Sequence, residues 1–203
     1  MRLALIRHGE TKANSQKRYL GKTDESLSQK GIEKLLSYRE QNCYPKVNCL
    51  FASPMKRCIE TAEILYPSMC PTVVCEWEEI DFGQFEFKNY EELKDDAGYQ
   101  AWLDSGCTLA FPGGESREDF ILRCEQGLRK MCDKLQEMAK QNADGALQAA
   151  VVVHGGTIMA LLSAFGGKEY FDCQPANGRG YLCRMNWERE EKTKIQIEVE
   201  KEI

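Results

Sequence analysis

The chain has 203 residues, enough to bury a sizeable α/β core, and a net charge of −5, which excludes a general binder of nucleic acid or anionic membranes. No stretch is long and apolar enough for a transmembrane helix. The N-terminus opens directly on a strand-like run without a basic, apolar leader, so a cytoplasmic protein is expected.

Strand one is expected over Arg2 to Ile6, where apolar residues run directly into Arg7-His8-Gly9. Glu10 to Leu27 lacks periodicity and reads as a long ordered loop, a common place for function. Ser28 is positioned to cap a helix carrying Ile32, Leu35 and Leu36 on one face. Val47 to Ala52 reads as a strand. Ser53-Pro54 reads as a helix start, with Ser53 as cap and Arg57 in the first turn. That helix is expected to end at Tyr66 with Cys58, Ile59, Ala62 and Leu65 inward, and Thr72 to Cys75 to be a short strand.

From Phe82 to Phe111 aromatic residues cluster among acids, which predicts an insertion of about 82–115 with one or two short helices over the sheet edge. Plain core packing accounts for at least half of those aromatics. Ser116 and Asp119 resemble a capping box for a long helix reaching about Lys140. Ala149 to Val153 is a second apolar run, ending at His154-Gly155-Gly156, with a helix expected from Ile158 to Phe165. Asn177-Gly178 precedes a strand ending near Trp187. Glu188 to Lys192 reads as a charged turn, and Thr193 to Val199 as a half-exposed edge strand. The order predicts one α/β domain over 1–203, a mostly parallel sheet with helices on both faces and the small helical cap.

Ten cysteines contain no Cys-x-x-Cys pair, which favours a reduced chain over a disulfide or zinc framework. Cys58, Cys75, Cys124, Cys132 and Cys183 fall at apolar positions and read as small buried hydrophobes.

The chain has two histidines, and both stand at a strand–His–Gly junction. In open α/β sheets that carboxyl edge is where ligands bind. Arg7 and Arg57 also arrive at strand ends, and Arg is the cation best shaped for phosphoryl oxygens. No Walker-type loop or Asp-rich metal motif accompanies them, so phosphoryl chemistry here is expected without metal or other cofactor. A histidine nucleophile fits, because neutral imidazole attacks phosphorus at pH 7 without prior deprotonation. A carboxylic acid must then protonate the leaving oxygen.

The chain resembles the histidine phosphatase superfamily, which includes cofactor-dependent phosphoglycerate mutases. The resemblance rests on Ile6-Arg7-His8-Gly9-Glu10-Thr11 with Asn14, Gly21-Lys22-Thr23-Asp24, and Ser53-Pro54-Met55-Lys56-Arg57 with Thr61-Ala62. Glu79 with Phe82-Gly83, and Val153-His154-Gly155-Gly156, complete it. It implies that His8 is phosphorylated, that Arg7, Arg57 and His154 surround the phosphoryl group, and that Asn14 and the Gly155 backbone bind its oxygens. It further implies Glu79 as proton donor, with adjacent Glu78 as the alternative register, and Thr23 as a substrate contact.

The run Glu79 to Glu86 resembles the small bacterial phosphatases, α-ribazole phosphatase among them, which acts in cobalamin assembly. It departs from them at Phe85, where they usually have Trp, and at Phe87, where they usually have Gly; both departures bear on the substrate pocket. The resemblance implies a phosphomonoesterase for a small phosphate ester, acting as a monomer or homodimer with no nucleic-acid or membrane partner. The alternatives are a mutase-type phosphoryl transferase and a non-catalytic phospho-ligand sensor. The short insertion argues against a mutase, and its excess of acids predicts repulsion of a second phosphate on the substrate.

Overall fold

A computed structural model describes residues 1–141, 147–187 and 194–203. The expected turn at Glu188 to Lys192 lies outside the described residues, as does Thr193. The strands are β1 (Arg2–Arg7), β2 (Cys49–Ala52), β3 (Thr72–Val73), β4 (Gln148–Val153), β5 (Gly180–Trp187) and β6 (Ile195–Glu202). The helices are α1 (Lys12–Ser15), α2 (Gln29–Glu40), α3 (Lys56–Leu65), α4 (Tyr90–Leu93), α5 (Ala97–Asp104), α6 (Arg117–Gln141) and α7 (Gly155–Phe165).

The strands form one sheet in the order β3-β2-β4-β1-β5-β6. Neighbours among β1 to β4 run parallel, whereas β5 runs antiparallel to β1, and β6 to β5. The sheet is therefore mixed. The chain between β5 and β6 is too short for the crossover a parallel pair requires, and β6 takes the edge that its alternating pattern predicts.

Alternate residues of the central strands feed two separate cores. Leu3, Leu5, Phe51, Val151 and Val153 point to the face covered by α6 and α7, where Phe120, Leu128, Ile158 and Leu161 meet them. Ala4, Ile6, Leu50, Ala52 and Val152 point to the other face, against Leu35 of α2 and Cys58, Ala62 and Leu65 of α3. Two covered faces explain why β1 and β4 are continuous apolar runs.

Four local expectations are corrected. The stretch after Glu10 is not all loop: Thr11 and Asn14 form a reciprocal capping box that starts α1. Helix α3 begins at Lys56 rather than Pro54, and its first free N–H, from Lys56, donates to Asp24 Oδ1 at 2.8 Å. Ser53 is thereby released from capping. Helix α7 begins at Gly155, directly after His154. Cys75 is exposed, because a 3₁₀ turn over Cys75–Trp77 swings it outward and seats Trp77 in the core instead. Cys58, Cys124, Cys132 and Cys183 are buried, as their apolar positions predict.

Candidate active site

Parallel pairing of β1 with β4 brings the two histidines together. Arg7 is level with Val153, so the next residues, His8 and His154, leave the sheet side by side. Their ring centroids lie 5.3 Å apart at an interplanar angle of 67°. Ser53, the residue after β2, joins the same row, with its N–H donating to Val152 O at 3.0 Å.

Both imidazoles have a tautomer fixed by obligate partners. The Gly9 carbonyl can only accept, so His8 Nδ1, 2.7 Å away, carries the proton. His8 Nε2 is left with a free lone pair. Arg57 Nε can only donate, and it reaches His154 Nδ1 at 3.3 Å. His154 therefore carries its proton on Nε2 and donates to Ser53 Oγ at 2.8 Å. Burial, reinforced by the charges of Arg57 and Arg7, holds the His8 pKa well below the usual imidazole range. Burial and Arg57 do the same for His154. Both rings are neutral at pH 7.

Arg57 is fully buried. Its two terminal nitrogens donate to the carbonyls of Thr23 and Gly21, both at 2.9 Å. The same loop is held from its other side by Glu86, whose carboxylate accepts from Gly21 N–H and Thr23 N–H at 3.0 Å. Thr23 thus serves as a backbone bracket for Arg57; its side chain is exposed and lies away from the pocket. Arg7 donates from Nη1 to Pro175 O at 2.8 Å, while its buried Nε has no partner among the described residues.

Glu79 stands beside His154, with Oε2 4.0 Å from Nδ1. Burial raises its pKa, and the N–H of Ile80 and the charges of Arg57 and Arg7 offset only part of that. Arg123 of α6 positions the segment, donating to the carbonyls of Glu76 and Glu78, each at 2.9 Å, and pairing with Glu115 at 2.7 Å. Glu78 is only half-buried and does not line the pocket.

A pocket of about 430 Å³ opens over this cluster. Arg7, His8, Asn14, Glu79 and Gly155 line its inner end, and Tyr19, Phe82, Trp102, Phe111 and Tyr170 its walls. Arg57 and His154 lie in the layer beneath. Asn14 Oδ1 is occupied by Thr11 N–H at 3.1 Å and Asn177 Nδ2 at 3.0 Å, which leaves its own amide N–H₂ to donate. The N-terminus of α7 adds free N–H groups and a favourable dipole for an anion. Two guanidiniums, two neutral imidazoles and a carboxyl biased toward its acid form make a strongly anion-seeking site. Among the described residues no group of three or more His, Cys, Asp or Glu side chains is placed to hold a metal ion.

The segment 82–115 divides by role. Phe85 and Tyr99 are core residues, as plain packing predicts, while Phe82, Trp102 and Phe111 face the pocket. Its acids do not reach the pocket: Glu92 pairs with Arg18, Glu91 with Lys94, and Asp96 caps α5. Among the described residues Glu79 is the one acidic residue lining it, so they give the expected repulsion of a second phosphate no structural basis. Phe87 adopts a positive φ of 61°, a conformation that favours glycine. Its ring lies outside the pocket, beneath the Arg18 guanidinium at 5.6 Å.

Sequence reasoning missed three supports. Ser53 read as a helix cap, a role its residue type fits equally well. Thr61 Oγ1 accepts the Gly9 N–H at 2.9 Å and ties the His8 turn to α3. Asn177 Nδ2 donates to His8 O at 3.2 Å, and nothing in the local pattern signals that beyond a turn.

Comparison with known proteins shows the family. Residues 3–197 match the model of the histidine phosphatase superfamily (branch 1). The chain belongs to the histidine phosphatase superfamily. A "putative phosphoserine phosphatase 2" of Hydrogenobacter thermophilus is 26% identical over 82% of this chain and 79% of its own length. The adenosylcobalamin/α-ribazole phosphatase of Escherichia coli is 28% identical over 66% of this chain and 68% of its own. The crystal structure of a phosphoglycerate mutase from Thermus thermophilus superposes with a TM-score of 0.67 at 27% identity, covering 100% of this chain and 98% of that one. The superfamily supports a phosphatase or a mutase. Among the described residues no helix is long and apolar enough to cross a membrane.

Proposed function

We propose that this protein hydrolyses the phosphate monoester of a small, ring-bearing metabolite through a phosphohistidine at His8. The observation that carries this is the His8 tautomer: Nδ1 donates to the Gly9 carbonyl, so Nε2 keeps its lone pair. In the first step Nε2 attacks phosphorus, the ester P–O bond breaks, and Glu79 gives its proton to the departing oxygen. In the second, water attacks the phosphohistidine, the P–N bond breaks, and the Glu79 carboxylate takes the water proton. Inorganic phosphate leaves and both residues return to their starting states. Arg7, Asn14 and the Gly155 N–H hold the phosphoryl oxygens, with Arg57 and His154 supplying field from beneath.

Residues 82–115 act in this reading as a cap. The walls of Phe82, Trp102 and Phe111 suit a flat leaving group, since rings pack on aromatic faces. α-Ribazole 5′-phosphate, in keeping with the name of the E. coli relative, is one such ester and belongs in a first substrate panel.

The test is rapid quench with a ³²P-labelled ester. An acid-labile phosphoenzyme is expected in the native protein and not in His8→Ala, whose turnover falls by several orders of magnitude while its fold persists. A folded His8→Ala protein with near-native turnover would end this reading.

A further inference from the structure

The outer part of the pocket is cationic, and the charges there are not all spent. Lys17, Arg18 and Arg117 line it and are more exposed than His8 and Glu79. Arg18 is neutralised by Glu92, with nitrogen–oxygen distances of 2.6 and 3.1 Å. Lys17 has no such partner among the described residues. Arg117 opens α6, spreads its guanidinium over the Tyr170 ring at 5.5 Å, and among the described residues pairs only with an exposed Glu118 at 4.0 Å. Stacking fixes the plane of that fork and leaves its edge N–H groups to donate.

The backbone is strained in the same place. Among the described residues four non-glycine residues have positive φ, Lys17 (54°), Asn42, Phe87 (61°) and Cys107 (61°). Lys17 and Cys107 line the pocket, and Phe87 lies under Arg18. Strain of this kind persists where the surrounding structure over-determines it, and it gathers at ligand sites.

We infer that the leaving group of the preferred substrate carries a second anion, a carboxylate or phosphate, which Lys17 and Arg117 bind at the outer end of the pocket. This deepens the hydrolase reading of the same site. Its consequence is that a ring ester lacking the second anion, α-ribazole 5′-phosphate included, is a poorer substrate than its anionic counterpart. The added binding acts far from phosphorus, is equal in ground and transition states, and therefore appears mainly in KM.

The experiment separates this inference from the hydrolase reading by using non-hydrolysable probes. Benzylphosphonate, 4-carboxybenzylphosphonate, 4-(phosphonomethyl)benzylphosphonate and 4-(aminomethyl)benzylphosphonate are titrated calorimetrically into the protein. The carboxylate and the second phosphonate are expected to tighten binding about tenfold over the plain ring, and the ammonium to weaken it. Arg117→Gln and Lys17→Gln should each narrow the carboxylate preference, and the double variant should abolish it. Both residues are partly exposed, and unchanged thermal unfolding certifies each fold. Equal affinity for all probes, or a preference that survives the double variant, overturns the inference. The matching benzyl phosphates are then assayed for phosphate release. Probes that bind in the expected order with no ester hydrolysed leave this inference standing and defeat the hydrolase reading.

Discussion

Replacing Glu79 by Gln separates proton donation from every other role of that side chain. Gln keeps an oxygen for the Ile80 N–H, which Glu79 Oε1 accepts at 3.0 Å, and brings no charge into a site where burial already favours the neutral form. The fold is therefore retained and only the acidic proton is lost. Its value depends on the leaving group. An alcohol leaves as an anion about as basic as hydroxide, whose parent water has a pKa of about 16. A phenol resembles the tyrosine side chain, at about 10, and p-nitrophenol is more acidic still. General acid catalysis is worth roughly 10²–10⁴-fold where it is needed. An alkyl phosphate should thus lose about 10³-fold in kcat/KM, or about 4 kcal/mol. p-Nitrophenyl phosphate should lose no more than about tenfold, or about 1.4 kcal/mol. Phosphate release from the two esters, measured side by side with native and Glu79→Gln protein, gives both numbers. Equal losses would refute the assignment: Glu79 would then only position substrate, or Glu78 would be the donor.

Stability should fall as the pH drops below the usual imidazole range of about 6.5, because unfolded His8 and His154 take up protons that their buried native forms refuse. Urea unfolding across that range checks it. Glu79 works in the opposite sense: its raised pKa contributes stability at low pH that is lost as the pH rises through the folded value, so Glu79→Gln should flatten the high side. The same groups set activity, since neutral His8 and protonated Glu79 coexist on the acid side of neutrality, and kcat/KM should decline as Glu79 ionises. Glu86→Ala removes the acceptor of the Gly21 and Thr23 N–H groups and should cost about 2–3 kcal/mol, discounted for partial exposure. Calorimetry should show the lower Tm, and kcat should fall because the loop no longer brackets Arg57. Activity should survive excess chelator, and vanadate, which adopts five-coordinate geometry, should inhibit; a requirement for added Mg²⁺ or Zn²⁺ would contradict the mechanism. With 3-phosphoglycerate and catalytic 2,3-bisphosphoglycerate, free phosphate should form; efficient production of 2-phosphoglycerate would establish a mutase instead.

The sequence alone determined the elements whose signals are local. Apolar runs at Leu3 to Ile6 and Ala149 to Val153 read as strands because both faces of their sheet are covered. Ser28 and Ser116 read as caps because a hydroxyl two or three residues before a free N–H satisfies it wherever the rest of the chain lies. The residues proposed to carry the chemistry were also legible, since His8, His154, Arg7 and Arg57 stand in a pattern that resembles a known family.

What tertiary structure decided was everything that depends on partners remote in sequence. The β1–β4 register, which sets His8 beside His154, comes from burying two strands together whose paired residues, such as Arg2 and Gln148, are 146 positions apart, and no local pattern encodes it. Ser53 became the acceptor for His154, and Asp24 took the cap of α3, because the end of β2 aligns with the end of β4. Cys75 turned outward because Trp77, the larger apolar side chain, claims the core space beside α6. The charge of the pocket was the least legible feature. Composition counts the acids of 82–115, but only folding directs Glu92 to Arg18, Glu91 to Lys94 and Asp96 to a helix terminus and leaves Lys17 and Arg117 lining the pocket.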